Sequence, residues 1–83
     1  MIVDKVKYQI HKASGTLKQY RASLIEREIA KRYTLGAEIA LTNDKDIKPT
    51  EYAEYQAYRA ECKDLVDKEM AELEAALETE VSE

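Results

Sequence analysis

The chain has 83 residues and a formal net charge of -4; 36% of its residues are charged and 45% apolar, with only 2 Gly and 1 Pro. The scarcity of turn-forming residues excludes a sandwich or barrel of many short strands, and the apolar fraction excludes a disordered chain. The sequence contains no run of 18 apolar residues, so it predicts no membrane-spanning helix. The first ten residues also lack the apolar segment of a secretory signal. We therefore expect an all-α protein of the cytoplasm.

The first predicted element is a long helix over residues 2–42. Its apolar residues recur at alternating steps of three and four, which is the pattern of a coiled-coil seam. The residues that follow this pattern are Val3, Val6, Ile10, Ala13, Leu17, Tyr20 and Leu24. The seam shifts by one residue at Arg27 and then continues to Ala40, with Leu35 and Ile39 alongside. Such a shift changes the supercoil locally without ending the helix.

Gly15 is the weak point of this predicted helix. Gly in a helix interior costs ~1 kcal/mol relative to Ala. Thr16 followed by Gln19 also fits a capping box that would begin a new helix. The seam nevertheless keeps its phase across Gly15, because Ala13 and Leu17 are four residues apart. We therefore predict a continuous helix, with a three-helix bundle broken near Gly15 as the alternative.

A loop over residues 43–49 separates the two predicted helices, because Asn and Asp favour turns and Pro49 disfavours helical geometry in the residue before it. Thr50 can then cap a second helix over residues 51–77. The apolar stripe of this helix follows the helical period and comprises Tyr55, Tyr58, Cys62, Leu65, Val66, Met70, Leu73 and Leu77. Residues 78–83 include three Glu at the negative end of the helix dipole, so we expect this terminus to fray.

Two long helices and one short loop predict a single domain, residues 1–83, folded as an antiparallel helical hairpin. Two helices cannot cover all of their apolar stripes, so we expect two hairpins to associate into a four-helix arrangement. The residues expected in this oligomer seam are Val6, Ile10, Leu17, Tyr20, Leu24, Leu65, Met70 and Leu73.

Residues suited to catalysis are few. Cys62 and His11 are the only Cys and His, and an antiparallel hairpin would place His11 near residue 81, far from Cys62. Acidic pairs such as Asp64 and Asp67 fall on the predicted solvated face, where they serve solubility. A single His also lacks the paired Glu-x-x-His motifs of di-iron bundles. We therefore predict no enzymatic activity, no cofactor and no metal site.

Charge is divided unevenly along the chain. Residues 1–42 hold eight Lys/Arg and four Asp/Glu, whereas residues 43–83 hold five and thirteen. The favoured interpretation is that the two halves lie side by side and neutralise each other. Two alternatives remain: a basic first helix that binds nucleic acid, or an acidic second half that imitates DNA and inhibits a host factor. The residues that would contact phosphates are Lys5, Lys12, Lys18, Arg21, Lys31 and Arg32.

Every aromatic residue of the chain is a Tyr. Tyr combines apolar area with a polar tip and is enriched at interfaces. The six tyrosines either edge a thin core or contact a partner, which would be another copy or a different protein. Tyr and Arg are frequent energetic anchors of interfaces. We therefore predict a non-catalytic protein-protein interaction or assembly protein, with contact residues Tyr52, Tyr55, Tyr58 and Arg59.

Residues 48–65, from Lys-Pro-Thr to Lys-Asp-Leu, resemble the closing segment of small tail-assembly proteins of tailed bacteriophages. There a helix capped by Pro-Thr carries an aromatic-x-x-aromatic-Arg pattern, which Tyr55, Tyr58 and Arg59 match. The Leu-Arg-Asp-like stretch that follows is matched loosely by residues 62–65. The tryptophans and prolines that usually surround this helix are missing, and residues 1–42 have no counterpart. The resemblance implies a phage or prophage origin and a structural or chaperone role in the host cytoplasm.

Overall fold

The computed structural model describes residues 2–81 and confirms the all-α class, since these residues form four helices and no strand. The helices are α1 (Lys5–Ser14), α2 (Leu17–Ala30), α3 (Leu35–Asn43) and α4 (Pro49–Val81). The 33 residues of α4 span ~50 Å at 1.5 Å per residue, close to the 57 Å length of the molecule. Both α2 and α3 pack on α4, and α1 folds back on α2.

The predicted continuous helix over residues 2–42 is wrong, because the chain reverses direction after Ser14. Gly15 adopts the left-handed conformation, with φ 72° and ψ 25°. Its N–H donates to the Lys12 carbonyl, and the Thr16 N–H donates to the His11 carbonyl at 2.9 Å. This pair of hydrogen bonds is a Schellman motif, which ends a helix and favours Gly at the left-handed position. The break near Gly15 that the alternative prediction assumes is therefore present.

A second break separates α2 from α3 and is not predicted by the apolar period. The last turn of α2 tightens, since the Lys31 and Arg32 N–H groups donate to carbonyls three residues back. Thr34 then has an extended backbone, and its hydroxyl accepts a hydrogen bond from the Ala37 N–H at 3.1 Å. An N-cap of this kind begins a helix without Gly or Pro. The seam shift at Arg27 thus precedes a true interruption of the helix.

The linker between α3 and α4 falls where the sequence predicts it, because α3 ends at Asn43 and α4 begins at Pro49. Pro is tolerated at the first helical position, where its missing N–H is not needed. Thr50 therefore lies inside α4 and does not cap it. The helix also continues four residues beyond the predicted end at Leu77. The predicted fraying concerns residues 78–83, of which residues 82 and 83 lie outside the described residues.

The core follows the line along which α2 and α4 pack, with α1 closing one side. Its apolar residues are Val3, Tyr8, Tyr20, Leu24, Ile25, Ile29, Tyr55, Cys62, Val66, Leu73 and Leu77. Val66 is the most deeply buried of them, with an exposed fraction of 0%.

The predicted oligomer seam is divided between burial and exposure. Its buried or half-buried members are Leu17, Tyr20, Leu24, Met70 and Leu73. Its exposed members are Val6, Ile10 and Leu65. Val6 and Ile10 are exposed because α1 folds back at Gly15 and turns its seam face away from the core, whereas Leu65 is exposed on α4. Association of two chains into a four-helix arrangement stays a prediction.

Candidate partner-binding surface

The tyrosines of α4 belong to an aromatic cluster that joins α4 to the break between α2 and α3. The ring of Tyr33 packs edge-on against Tyr55, with centroids 5.0 Å apart, and lies 5.7 Å from the ring of Tyr58. Tyr52 lies 6.2 Å from Tyr55. The guanidinium of Arg32 sits 5.1 Å from the Tyr58 ring, within cation-π range. The cluster therefore packs the segment of residues 31–34 against the first half of α4.

Two hydroxyl groups of the cluster form hydrogen bonds to other helices of the chain. The Tyr55 hydroxyl donates to the Glu38 carboxylate at 2.6 Å, and the Tyr58 hydroxyl donates to the Glu28 carbonyl at 2.9 Å. Tyr55 is 3% exposed. Burial, together with the hydrogen bond to Glu38, raises the pKa of Tyr55. Tyr55 thus joins α4 to α3 in the described chain, as a residue at the edge of the core would.

Tyr52, Tyr58 and Arg59 are half-buried and more accessible than Tyr55. The Tyr52 hydroxyl accepts a hydrogen bond from the Gln56 side chain at 2.8 Å. The guanidinium of Arg59 lies 5.7 Å from the Tyr55 ring, and its buried Nε has no hydrogen-bond partner among the described residues. The four predicted contact residues thus lie within one short stretch of α4. Their contact with a partner stays a prediction.

Helix α3 carries a surface that the sequence interpretation misses. Most of its residues are apolar, yet none is buried. Leu35 is 72% exposed and Ile39 54%, and their spacing of four places them on one side of the helix. Beside them lies a shallow cavity of about 300 Å³, lined by Leu35, Glu38, Ile39, Thr42, Asn43 and Tyr55. We call this set of six residues the α3 face.

The signal for the α3 face was present in the sequence. Leu35 and Ile39 accompany the predicted seam without belonging to it, so this segment has more apolar residues than one seam requires. The pattern could not show that the chain would break at Thr34. That break decides which side of α3 packs on α4 and which side meets solvent.

The basic and acidic halves of the chain pair across the packed helices, as the charge distribution predicts. Arg21 makes a two-pronged ion pair with Asp67, with N–O distances of 2.5 and 3.0 Å. Lys12 reaches Glu74 at 2.6 Å. The hydrogen bond from Arg21 lowers the pKa of Asp67, and those from Lys12 and Tyr8 lower the pKa of Glu74. Burial and the Glu74 contact raise the pKa of Tyr8 to about 12.

His11 and Cys62 have separate surroundings. The His11 ring stacks on Tyr20 at 4.5 Å, and its Nδ1 lies 2.7 Å from the Thr16 hydroxyl at the corner between α1 and α2. Cys62 is buried on α4, and burial raises the pKa of its thiol. Within residues 2–81 no group of three His, Cys, Asp or Glu is arranged to hold a metal ion.

Comparisons with protein-family models, with curated proteins and with solved structures find no match to this chain. None of the helices formed by residues 2–81 combines the length and the apolarity needed to cross a bilayer. Function is therefore inferred from the surfaces of the chain itself.

Proposed function

We propose that this chain is a non-catalytic assembly protein that binds another protein through the α3 face. The observation that supports this is the exposure of Leu35 and Ile39 on a helix with no buried residue. Contiguous exposed apolar surface on a small domain is typical of an interaction site. The occupant that fits a shallow groove beside a helix is the apolar side of a partner helix.

The surroundings of the α3 face define the charge of that partner. Residues 38–54 carry five Asp/Glu and two Lys. A partner helix with apolar residues four apart and Lys or Arg beside them would complement this surface. The apolar side chains would enter the cavity beside Ile39, and the basic ones would lie over the acidic rim.

Arg59 extends the α3 face along α4. It shares a second cavity of about 540 Å³ with Leu35 and Glu38. Its Nε donor is buried and unpartnered, and a buried donor without a partner carries a free-energy cost. A carbonyl or carboxylate of the bound partner would remove that cost. Tyr52 and Tyr58, half-buried on the same stretch of α4, would supply aromatic contact area.

Site-specific photo-crosslinking tests this proposal. A benzophenone amino acid placed at Ile39 should form a discrete adduct with the partner in cells that contain it. The matched control is the same amino acid at Ile47, which is 77% exposed but lies in the linker outside the α3 face. Equal adducts at both positions, or none at Ile39, would contradict the proposal. An adduct between two copies would identify the partner as the chain itself.

Affinity for the purified partner then measures the contribution of the α3 face. The double variant Leu35→Ser/Ile39→Ser should bind about 100-fold more weakly, because each side chain contributes roughly 1.5 kcal/mol when buried. Ile47→Ser should bind like the wild type. Neither variant removes a buried residue, so both should keep the wild-type circular dichroism spectrum.

The resemblance of residues 48–65 to phage tail-assembly proteins would give this binding a biological setting. Pro49 begins α4, and Tyr55, Tyr58 and Arg59 follow within its first three turns. A role as a structural or chaperone component in phage or prophage assembly accords with a small helical protein that binds other proteins. This setting is part of the proposal.

Protein binding is favoured over the nucleic-acid alternative by the ion pairs of the basic half. Lys12, Arg21 and Lys31 each contact a carboxylate of the same chain, so at least half of the predicted phosphate contacts are already neutralised. Binding to phosphates would weaken steeply between 50 and 200 mM salt. Titration of duplex DNA at these two salt concentrations separates the two functions, and competition with DNA for a host factor tests the acidic mimic.

A further inference from the structure

Helix α1 has two apolar sides, and one of them is uncovered. Tyr8 is buried, with an exposed fraction of 4%, whereas Val6 and Ile10 are 63% and 57% exposed. Tyr8 lies two residues from each of them, which is roughly 200° around a helix of 3.6 residues per turn. The buried and exposed residues therefore occupy opposite sides of α1.

The exposed side of α1 continues the stripe that α2 buries. Val6 and Ile10 are in heptad phase with Tyr20 and Leu24, and the latter two are buried where α2 packs. If residues 5–30 formed one straight helix, all four side chains would lie on one stripe. The sequence spacing thus fits a helix that lacks the turn at Gly15, while the structure contains that turn.

The turn itself depends on one residue. Gly15 has a φ of 72°, which side-chain-bearing residues rarely adopt, and an added Cβ would meet nothing within 4 Å. A substitution at Gly15 would therefore strain the backbone without creating a clash. The same substitution would favour the continuous helix, because Ala is a far better helix former than Gly.

The contacts that hold α1 in place could be made by the same helix of another copy. Glu69 accepts a hydrogen bond from the Ile2 N–H at 2.7 Å. Glu74 accepts hydrogen bonds from the Tyr8 hydroxyl and from the Lys12 ammonium group. These contacts join two segments that are more than sixty residues apart in the chain. They do not depend on a direct chain connection, which is the condition for exchange of an element between protomers.

We propose that two copies of this chain exchange α1. Residues 5–30 straighten into one helix in each copy, and each α1 packs on α2 and α4 of the other copy. Tyr8 then contacts Glu74 of the partner subunit, while Val6 and Ile10 join the stripe of Tyr20 and Leu24. Straightening leaves empty the surface of α2 and α4 on which α1 packs, and the segment that fits this surface is the α1 of a second copy, which carries Tyr8 and Lys12 to contact Glu74. The exchange goes beyond the proposed function, because it leaves the α3 face free.

The variant Gly15→Ala tests the exchange. Each hinge should favour the straight form by tenfold or more, and the dimer contains two hinges, so the dimer dissociation constant should fall by about 100-fold. Molar mass from light scattering, measured over a range of concentrations, reports this change. The matched control is Gly36→Ala, since Gly36 lies within α3, lacks a positive φ and has only the Thr34 hydroxyl 4.0 Å from an added Cβ. It should leave the molar mass unchanged.

A crosslink between native residues distinguishes exchange from simple docking. A carbodiimide joins Lys12 to Glu74, which are 2.6 Å apart. Light and ¹⁵N-labelled chains are mixed, unfolded, refolded together and crosslinked, and the Lys12–Glu74 peptide is analysed by mass spectrometry. Exchange predicts mixed-isotope crosslinks in the dimer, and the variant Glu74→Gln should abolish them.

Three outcomes would overturn the exchange. The first is a Gly15→Ala protein that is folded and monomeric. The second is a dimer whose Lys12–Glu74 crosslinks join only chains of one isotope. The third applies if Gly15→Ala does not fold: the wild-type protein, refolded at high concentration from the two isotopic forms, gives no mixed-isotope Lys12–Glu74 crosslink. Failure of the α3 face would instead appear with Leu35→Ser/Ile39→Ser, so the two proposals fail in separate experiments.

Discussion

The two ends of the molecule bury their apolar residues to different extents. At one end α1, α2 and the second half of α4 pack together and bury Tyr8, Leu24 and Leu73. At the other end α3 packs on the first half of α4 with only the last turn of α2 and Tyr33 beside it, and α3 itself contains no buried residue. The difference shows what a third helix contributes. Two helices bury the line along which they touch, and their remaining apolar residues stay in water.

The largest difference between the ends should appear when one substitution is made in each. Leu24→Ala should lower the free energy of unfolding by about 2–5 kcal/mol, because it opens a cavity at a side chain that is 2% exposed. Leu35→Ala makes the same chemical change at a side chain that is 72% exposed, and it should change stability by less than about 0.5 kcal/mol. Urea unfolding measures both. Similar losses would show that α3 is packed as tightly as α2.

The hydrogen bond between Tyr55 and Glu38 joins α4 to α3 at the second of these two ends. Tyr55→Phe removes the hydroxyl that donates to Glu38 at 2.6 Å and should lower the free energy of unfolding by about 1 kcal/mol. Tyr52→Phe is the matched control, because the Tyr52 hydroxyl meets only an exposed side chain, and it should have little effect. A larger effect of Tyr52→Phe would reverse the assignment of these two tyrosines.

The ion pair between Arg21 and Asp67 makes a smaller contribution to the three-helix end. Asp67→Asn should lower the free energy of unfolding at pH 7 by less than about 1 kcal/mol, since both side chains are partly exposed and screened. The control is Asp64→Asn, an exposed carboxylate one turn away.

The pH dependence of this effect follows from the pKa of Asp67. That pKa is lowered in the folded chain, mainly by the hydrogen bond from Arg21. The contribution is therefore complete above the unfolded carboxyl pKa of ~3.9 and is lost as the pH falls through the lower folded pKa. Unfolding curves from pH 7 to pH 2 should show the wild type and Asp67→Asn converging at the acidic end. A difference that persists at pH 2 would assign the effect to packing.

Much of the fold follows from the sequence because its signals are local. The apolar period predicts helices, the Asn-Asp-Lys-Asp and Pro49 segment predicts the linker, and the uneven charge predicts pairing of the two halves. At Gly15 the capping motif and the phase of the seam favour different structures, and the structure follows the capping motif. A capping motif stabilises one turn directly, whereas a seam has an effect only where a partner helix lies against it.

The remaining errors concern tertiary placement. The break before α3 depends on the hydroxyl of Thr34, one polar residue that many helices contain in their interior. The burial of Tyr8 depends on Glu74, sixty-six residues away, so no local pattern could show that α1 would pack with that side. The α3 face was missed for the same reason, because its exposure follows from the orientation of α3 on α4.

The short turn over residues 31–34 has a consequence for the dynamics of α3. Helix α3 is attached through short connections at both ends and has no fully buried side chain, although Leu41 packs partly against the core, so its detachment would expose less apolar surface than detachment of α2. Its backbone amides should therefore exchange with deuterium by local opening, well before the amides of α2 around Leu24, which require opening of the core. A partner would then bind a helix that separates from α4 at a low free-energy cost. Binding would slow deuterium uptake in α3 more than in α2.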